Sequence, residues 1–152
     1  MFKETSKELL NFLSKSPTAF HAVENYRQIL NADGFKELLE SEHWDIVPGG
    51  KYYVTRNNTS ILAFKVGTKL DNYSFNIVTS HTDSPTFKVK ENAEIEVKNK
   101  YTQLNTEGYG GMLCATWLDR PLSIAGRVLV SEGNSIVTKL LNICLLYTSD
   151  AA

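Results

Sequence analysis

The segment Phe75-Asn76-Ile77-Val78 is apolar in character and carries no charge, and it runs straight into Thr79-Ser80-His81-Thr82-Asp83-Ser84-Pro85. A short, mostly apolar run, with Asn76 its one polar residue, reads as a strand covered on both faces. Such a strand needs a packed layer on each side of its sheet, and with helical periodicity ahead of it in the chain it argues for an α/β layer arrangement. Ligands in open α/β sheets gather beyond the carboxyl ends of the strands. His81 and Asp83 occupy that position if the strand runs parallel to its neighbours.

Ahead of this strand, residues 3–15 place Leu9, Leu10, Phe12 and Leu13 in amphipathic helical spacing. Ser16-Pro17 predicts a second helix, with serine as N-cap and proline at the first helical position, where its missing N–H costs nothing. Phe20, Val23 and Leu30 share a face of that helix, and Gly34 stands where a left-handed C-terminal cap belongs. From Trp44 the apolar period changes to two. Tyr53–Arg56 and Ser60–Val66 read as a hairpin, punctuated by Pro48-Gly49-Gly50 and Asn57-Asn58. Beyond Pro85, Phe87–Lys90 and Glu94–Lys98 alternate apolar with charged residues, as strands with one wet face do. Gly108, Gly110 and Gly111 read as a turn, since no phosphate-binding glycine pattern follows them. Ala125–Val130 and Ile136–Leu141 read as two more strands about the turn Glu132-Gly133-Asn134.

His81 and Asp83 carry the chemistry. Side chains two apart on an extended segment point the same way, so Asp83 can accept one ring N–H of His81 while the other nitrogen binds a cation. That pairing fixes the tautomer of a zinc-ligating histidine. Taken alone, His-x-Asp is equally a histidine at a strand end with an aspartate nearby. His21 and His43 have no second ligand at helical spacing and read as packed or solvated residues. No Gly-x-Ser-x-Gly elbow is present. Asp119-Arg120 reads as a structural ion pair and Trp117 as a core residue.

Composition narrows the class. A hydrophobic share of 42% and a charged share of 22% suit a chain that builds a core, and a net charge of -1 carries no nucleic-acid footprint. No apolar stretch reaches the length of a membrane span, and the N-terminus lacks a secretory pattern. The two cysteines, Cys114 and Cys144, are too few for a disulfide framework. Together these features predict a cytoplasmic protein with neither a nucleic-acid nor a membrane partner.

The run 75–90, Phe-Asn-Ile-Val-Thr-Ser-His-Thr-Asp-Ser-Pro-Thr-Phe-Lys-Val-Lys, closely resembles the first metal-ligand motif of the aspartyl aminopeptidases, a family of dinuclear zinc exopeptidases. Three more stretches resemble the family in the same order: Ser14–Glu24, Lys51–Asn57, and Gly108-Tyr109-Gly110-Gly111 with Thr116–Leu122. The resemblance covers nearly all of 5–143. It implies a zinc-exopeptidase-type catalytic α/β domain beginning in 1–86, part of an inserted, mostly β dimerization domain in 87–143, and a non-family tail in 144–152 that resembles translated adapter sequence. It also implies removal of N-terminal Asp or Glu from peptides by two zinc ions, in a homo-oligomer. Only His81, as a zinc ligand, and Asp83, as its orienting catalytic partner, carry over residue by residue. The family's remaining ligands and its catalytic glutamate have no counterpart here, so the chain reads as an N-terminal fragment, inactive alone. A related glutamyl aminopeptidase family shares His-x-Asp, and the flanking Ser-Pro-Thr-Phe favours the aspartyl branch. The other reading is a non-catalytic scaffold or interaction piece.

Overall fold

The computed structural model describes residues 2–72, 74–118 and 120–146, with side chains as far as 143. In chain order the elements are α1 (Phe2–Ser14), α2 (Ala19–Ala32), β1 (Lys36–Glu37), β2 (Lys51–Arg56), β3 (Ser60–Lys65), β4 (Thr86–Val97), β5 (Tyr101–Tyr109), a 3₁₀ turn at Cys114–Trp117, β6 (Leu122–Glu132) and β7 (Ser135–Leu146). Helices with mixed sheets make the chain α/β, as its pattern predicts. It divides into two compact units, one of Met1–Thr82 with Ser123–Cys144, the other built on Asp83–Leu122.

In the first unit, α2 covers a three-stranded sheet of order β1-β2-β3. Strands β1 and β2 are parallel, and β2 and β3 form the expected antiparallel hairpin. Asn57 and Asn58 both take positive φ, 52° and 54°, and the Thr59 N–H closes the turn on the Arg56 carbonyl at 3.1 Å. A short amide side chain tolerates that left-handed pair, which matches the twist of the flanking strands. The core is small. Ala22 and Val23 of α2 and Tyr52 and Tyr53 of β2 are buried. The Tyr53 hydroxyl donates to Asn31 Oδ1 at 3.0 Å, and Arg27 Nη2 meets Glu37 Oε2 at 2.7 Å, so polar side chains also lock helix to sheet.

The C-terminal cap of α2 is as expected. Gly34, at φ 79°, lets its own N–H reach Asn31 O and the Phe35 N–H reach Leu30 O, a Schellman closure. The N-cap is not Ser16. Thr18 holds that position with extended φ and ψ, and its hydroxyl accepts the His21 N–H, whereas Ser16 Oγ accepts from Asn25 Nδ2 at 2.9 Å. The helix begins two residues later than Pro17 implied because only the Thr18 oxygen reaches an orphan N–H of the first turn. In the intact protein Thr18→Ala is expected to lower unfolding free energy by about 1 kcal/mol, read from the urea midpoint at unchanged slope. Helix α1 forms as predicted, yet only Phe12 of its apolar stripe is engaged, against Tyr26 with ring centroids 4.7 Å apart.

The expected buried strand at Phe75–Val78 is not formed. This stretch has no regular structure, and Phe75, Ile77 and Val78 are 79%, 77% and 97% exposed. A strand buried on both faces needs hydrogen-bonded neighbours and a covering layer, and none of the described strands pairs with it. The last two strands of the unit, β6 and β7, pair about Gly133 as the turn signal predicts. Arg127 of β6 lies over the Phe20 ring at 4.3 Å and donates to Asn57 O at 3.2 Å.

The second unit is an antiparallel ribbon of β4 and β5. The two strands expected at 87–90 and 94–98 are a single strand, interrupted by a register shift between Val89 and Glu94. Its hairpin turn, Lys98-Asn99, repeats the left-handed pair with φ of 51° and 54°. Gly108 is not in a turn but pairs with Phe87 within the ribbon; Gly110, at φ 74°, makes the bend that follows. Trp117 is half-buried rather than core, edge-on to Phe87 at 5.6 Å. The ion pair expected of Asp119 and the last six residues of the expected tail lie outside the described residues.

Candidate metal centre

His81 and Asp83 sit on the irregular stretch that leads into β4, His81 exposed and Asp83 half-buried. The stretch changes partner just afterwards. Thr86 pairs with Tyr109 at the open end of the β4–β5 ribbon, so Tyr109 lies beside the chain approaching β4. Its hydroxyl donates to Asp83 Oδ2 at 2.6 Å. That is a short, charge-assisted O–H···O⁻ bond. It holds the Tyr109 hydroxyl above its ordinary pKa, because losing the proton would lose the bond and set two negative charges together.

Gly110 makes the geometry possible. Its φ of 74° lies where side-chain-bearing residues are strained, and a Cβ there would rest 3.5 Å from Pro85. The chain therefore turns away immediately after Tyr109, with its backbone against the proline that follows the His-x-Asp segment. Sequence reasoning assigned Tyr109 no role. The signal available was its place in Gly108-Tyr109-Gly110-Gly111, where aromatic and glycine alternate at a strand end.

The other histidines are spoken for. His21 Nδ1 is 2.8 Å from Thr18 Oγ1 at the start of α2, and burial lowers its pKa, which favours the uncharged ring of a packed residue. His43 is exposed, 3.9 Å from Asp45. A shallow cleft of about 380 Å³ beside β2 is lined by Asp33, Lys36 and Lys51 among others and includes neither His81 nor Asp83. Lys51 is already paired there with Asp33 at 2.9 Å.

A catalytic zinc takes three protein ligands, and no group of three or more His, Cys, Asp or Glu side chains stands close enough to hold a metal among the described residues. The imidazole and carboxylate of His81 and Asp83 are right in kind for zinc and its supporting partner. They are too few to complete a site.

A family model for the aminopeptidase I zinc metalloproteases (M18) matches residues 12–144. A probable M18 family aminopeptidase 2 of Clostridium novyi (strain NT) is 50% identical over 141 residues, which is 91% of this chain and 33% of that protein. The aspartyl aminopeptidase of Dictyostelium discoideum is 46% identical over 140 residues, 91% of this chain and 29% of that one. Among solved structures, the S. cerevisiae mApe1 dodecamer superimposes with a TM-score of 0.80 at 31% identity, over 93% of this chain and 34% of that chain. The chain thus spans about a third of the length of the curated relatives it matches. With the match running through both units and across His81 and Asp83, the chain belongs to the aminopeptidase I family of zinc metalloproteases (M18).

Proposed function

We propose that this chain is the part of a metallo-aminopeptidase that carries one zinc ligand, His81, and its orienting carboxylate, Asp83. The observation that carries the reading is the His81-Thr82-Asp83 segment inside the family match, with Asp83 held at a strand end by Tyr109. The full-length protein removes an N-terminal Asp or Glu from peptides, which the likeness to an aspartyl aminopeptidase supports. It works with two zinc ions as a cytoplasmic homo-oligomer, and the dodecameric relative supports the assembly.

Each residue has a stated task. His81 offers a ring nitrogen to the metal, and Asp83 accepts the other ring N–H, fixing the tautomer and raising the basicity of the ligand. Zinc, when bound, polarises a carbonyl and lowers the pKa of water toward neutrality. The remaining ligands come from beyond the matched third of the family's length, and residues 1–86 and 87–143 belong respectively to the catalytic domain and to an inserted β dimerization domain.

The test is an assay of the full-length gene product, zinc-loaded, on chromogenic substrates of Asp, Glu, Leu and Lys, alongside its metal content. Turnover confined to Asp and Glu with two zinc ions per chain is expected. Preference for Leu or Lys would sink the acidic specificity, and an active enzyme without zinc would sink the metal assignment. A strong preference for Glu over Asp would move the protein to the glutamyl branch.

A further inference from the structure

The Tyr109–Asp83 bond joins two segments separated by 26 positions in the chain, and its donor is 46% exposed. Water competes for both partners at such a place, so the bond adds little to folding. What it does fix is direction. An aspartate on an irregular stretch swings about χ1 and χ2, and engaging Oδ2 at 2.6 Å narrows the orientations open to the carboxylate. Three features of the second unit converge on that bond: the Thr86–Tyr109 pairing, the positive φ of Gly110, and the approach of Gly110 to Pro85.

We infer that Tyr109 is a positioning residue for the metal centre, holding the Asp83 carboxylate in the orientation from which it supports the His81 ligand. This rests on the proposed role of His81 and Asp83. A histidine ligand whose supporting carboxylate wanders binds metal less tightly, because the imidazole must then be ordered when the metal arrives. Tyr109 is assigned no contact with substrate or metal. It acts through Asp83 alone, and the consequence is a specific pattern in a mutant cycle.

The test uses full-length protein and four variants: Tyr109→Phe, Asp83→Ala, the double variant of those two, and His81→Ala. Zinc affinity is read by competition with a chromogenic chelator, and kcat and KM are read separately. Tyr109→Phe is expected to weaken zinc binding by about tenfold, the low end for loss of a residue that supports a ligand, and to lower kcat with KM unchanged. The double variant is expected to match Asp83→Ala alone, since the hydroxyl has no acceptor to act through once the carboxylate is gone. Unchanged affinity and kcat in Tyr109→Phe, with zinc lost from His81→Ala, would overturn the inference and leave the role of His81 standing. Additive losses in the double variant would overturn it as well. Full zinc retention by His81→Ala would overturn both. Phenylalanine differs by one exposed oxygen, so the fold survives; an altered thermal midpoint in Tyr109→Phe with normal zinc affinity would assign the bond to stability and overturn the positioning role.

Discussion

His81→Ala in the full-length protein is expected to abolish peptide hydrolysis and to remove one zinc ion, with the metal-free forms of variant and parent melting at nearly the same temperature. The two halves of this expectation have separate causes. A catalytic zinc with only three protein ligands loses a third of them when one is cut back to a methyl group, and a water in place of the imidazole is a weaker donor that the chain does not hold in position. The stability half follows from exposure. His81 is exposed in this chain, and truncation of an exposed side chain generally moves stability by less than about 0.5 kcal/mol. Asp83→Asn is the graded companion, expected to cost 10–100-fold in rate or metal affinity, because an amide can still accept an N–H but no longer carries the charge that raises the ligand's basicity. Metal analysis with kinetics decides both. An Asp83→Asn enzyme equal to the parent would reduce the aspartate to a strand-end residue.

The 152-residue chain produced alone is expected to show no turnover on Asp or Glu substrates with zinc or cobalt added, to bind a hydrophobic dye, and to elute as soluble aggregate. Its buried apolar side chains among the described residues are Ala22, Val23, Tyr52 and Tyr53. Four such residues are a thin core, given that burying a large apolar side chain stabilises by about 1.5–3 kcal/mol and ordering each residue costs about 1–2 kcal/mol. Meanwhile Leu9, Leu10 and Leu13 of α1 and the run Phe75, Ile77, Val78 lie open to solvent. Exposed apolar patches of this kind drive association, and β4–β5 and β6–β7, each a two-stranded sheet, present unpaired edges that template it. Gel filtration, dye fluorescence and a melting curve test this directly. A monodisperse monomer with a sharp two-state melt would contradict it and favour the scaffold reading, and hydrolysis above a metal-only blank would show that the chain completes a site by itself.

Local grammar was legible where a residue type has one good conformation. Gly34 closes α2 and Asn57-Asn58 turns the β2–β3 hairpin, because those positions need the left-handed region that glycine and asparagine reach most easily. Lys98-Asn99 makes the same turn but hid behind a lysine that seldom adopts it. Strand β1 is two residues long and parallel, so it leaves no period to read. Strand β5 alternates too weakly, since Gln103, Asn105 and Glu107 are separated by Leu104 and Thr106 with only one large apolar side chain among them. The Phe75–Val78 reading failed in the opposite sense. Apolar pattern reports a preference for burial, and a strand exists only where other backbone is present to pair with it. At the candidate centre, His81 and Asp83 stood out through the family likeness of the residues around His-x-Asp rather than through the spacing alone, whereas Tyr109 did not, because its contact depends on strand register 26 positions away.

The hold of Arg127 on Asn57 spans 70 positions, and that span sets an order of events as the chain is made. The first 82 residues emerge from the ribosome without the β6–β7 segment, Ser123–Cys144, that belongs to their unit. The ribbon of β4 and β5 lies between, with its own local turn, and can pair as soon as it is extruded. At a synthesis rate of about 5–20 residues per second, the early piece waits on the order of seconds for its late strands, far longer than the microseconds a hairpin needs. During that interval the Phe20 ring and the Asn57 carbonyl lack their guanidinium partner. Between the appearance of Thr82 and that of Arg127 the nascent chain therefore offers these two positions to chaperones and to mistaken partners.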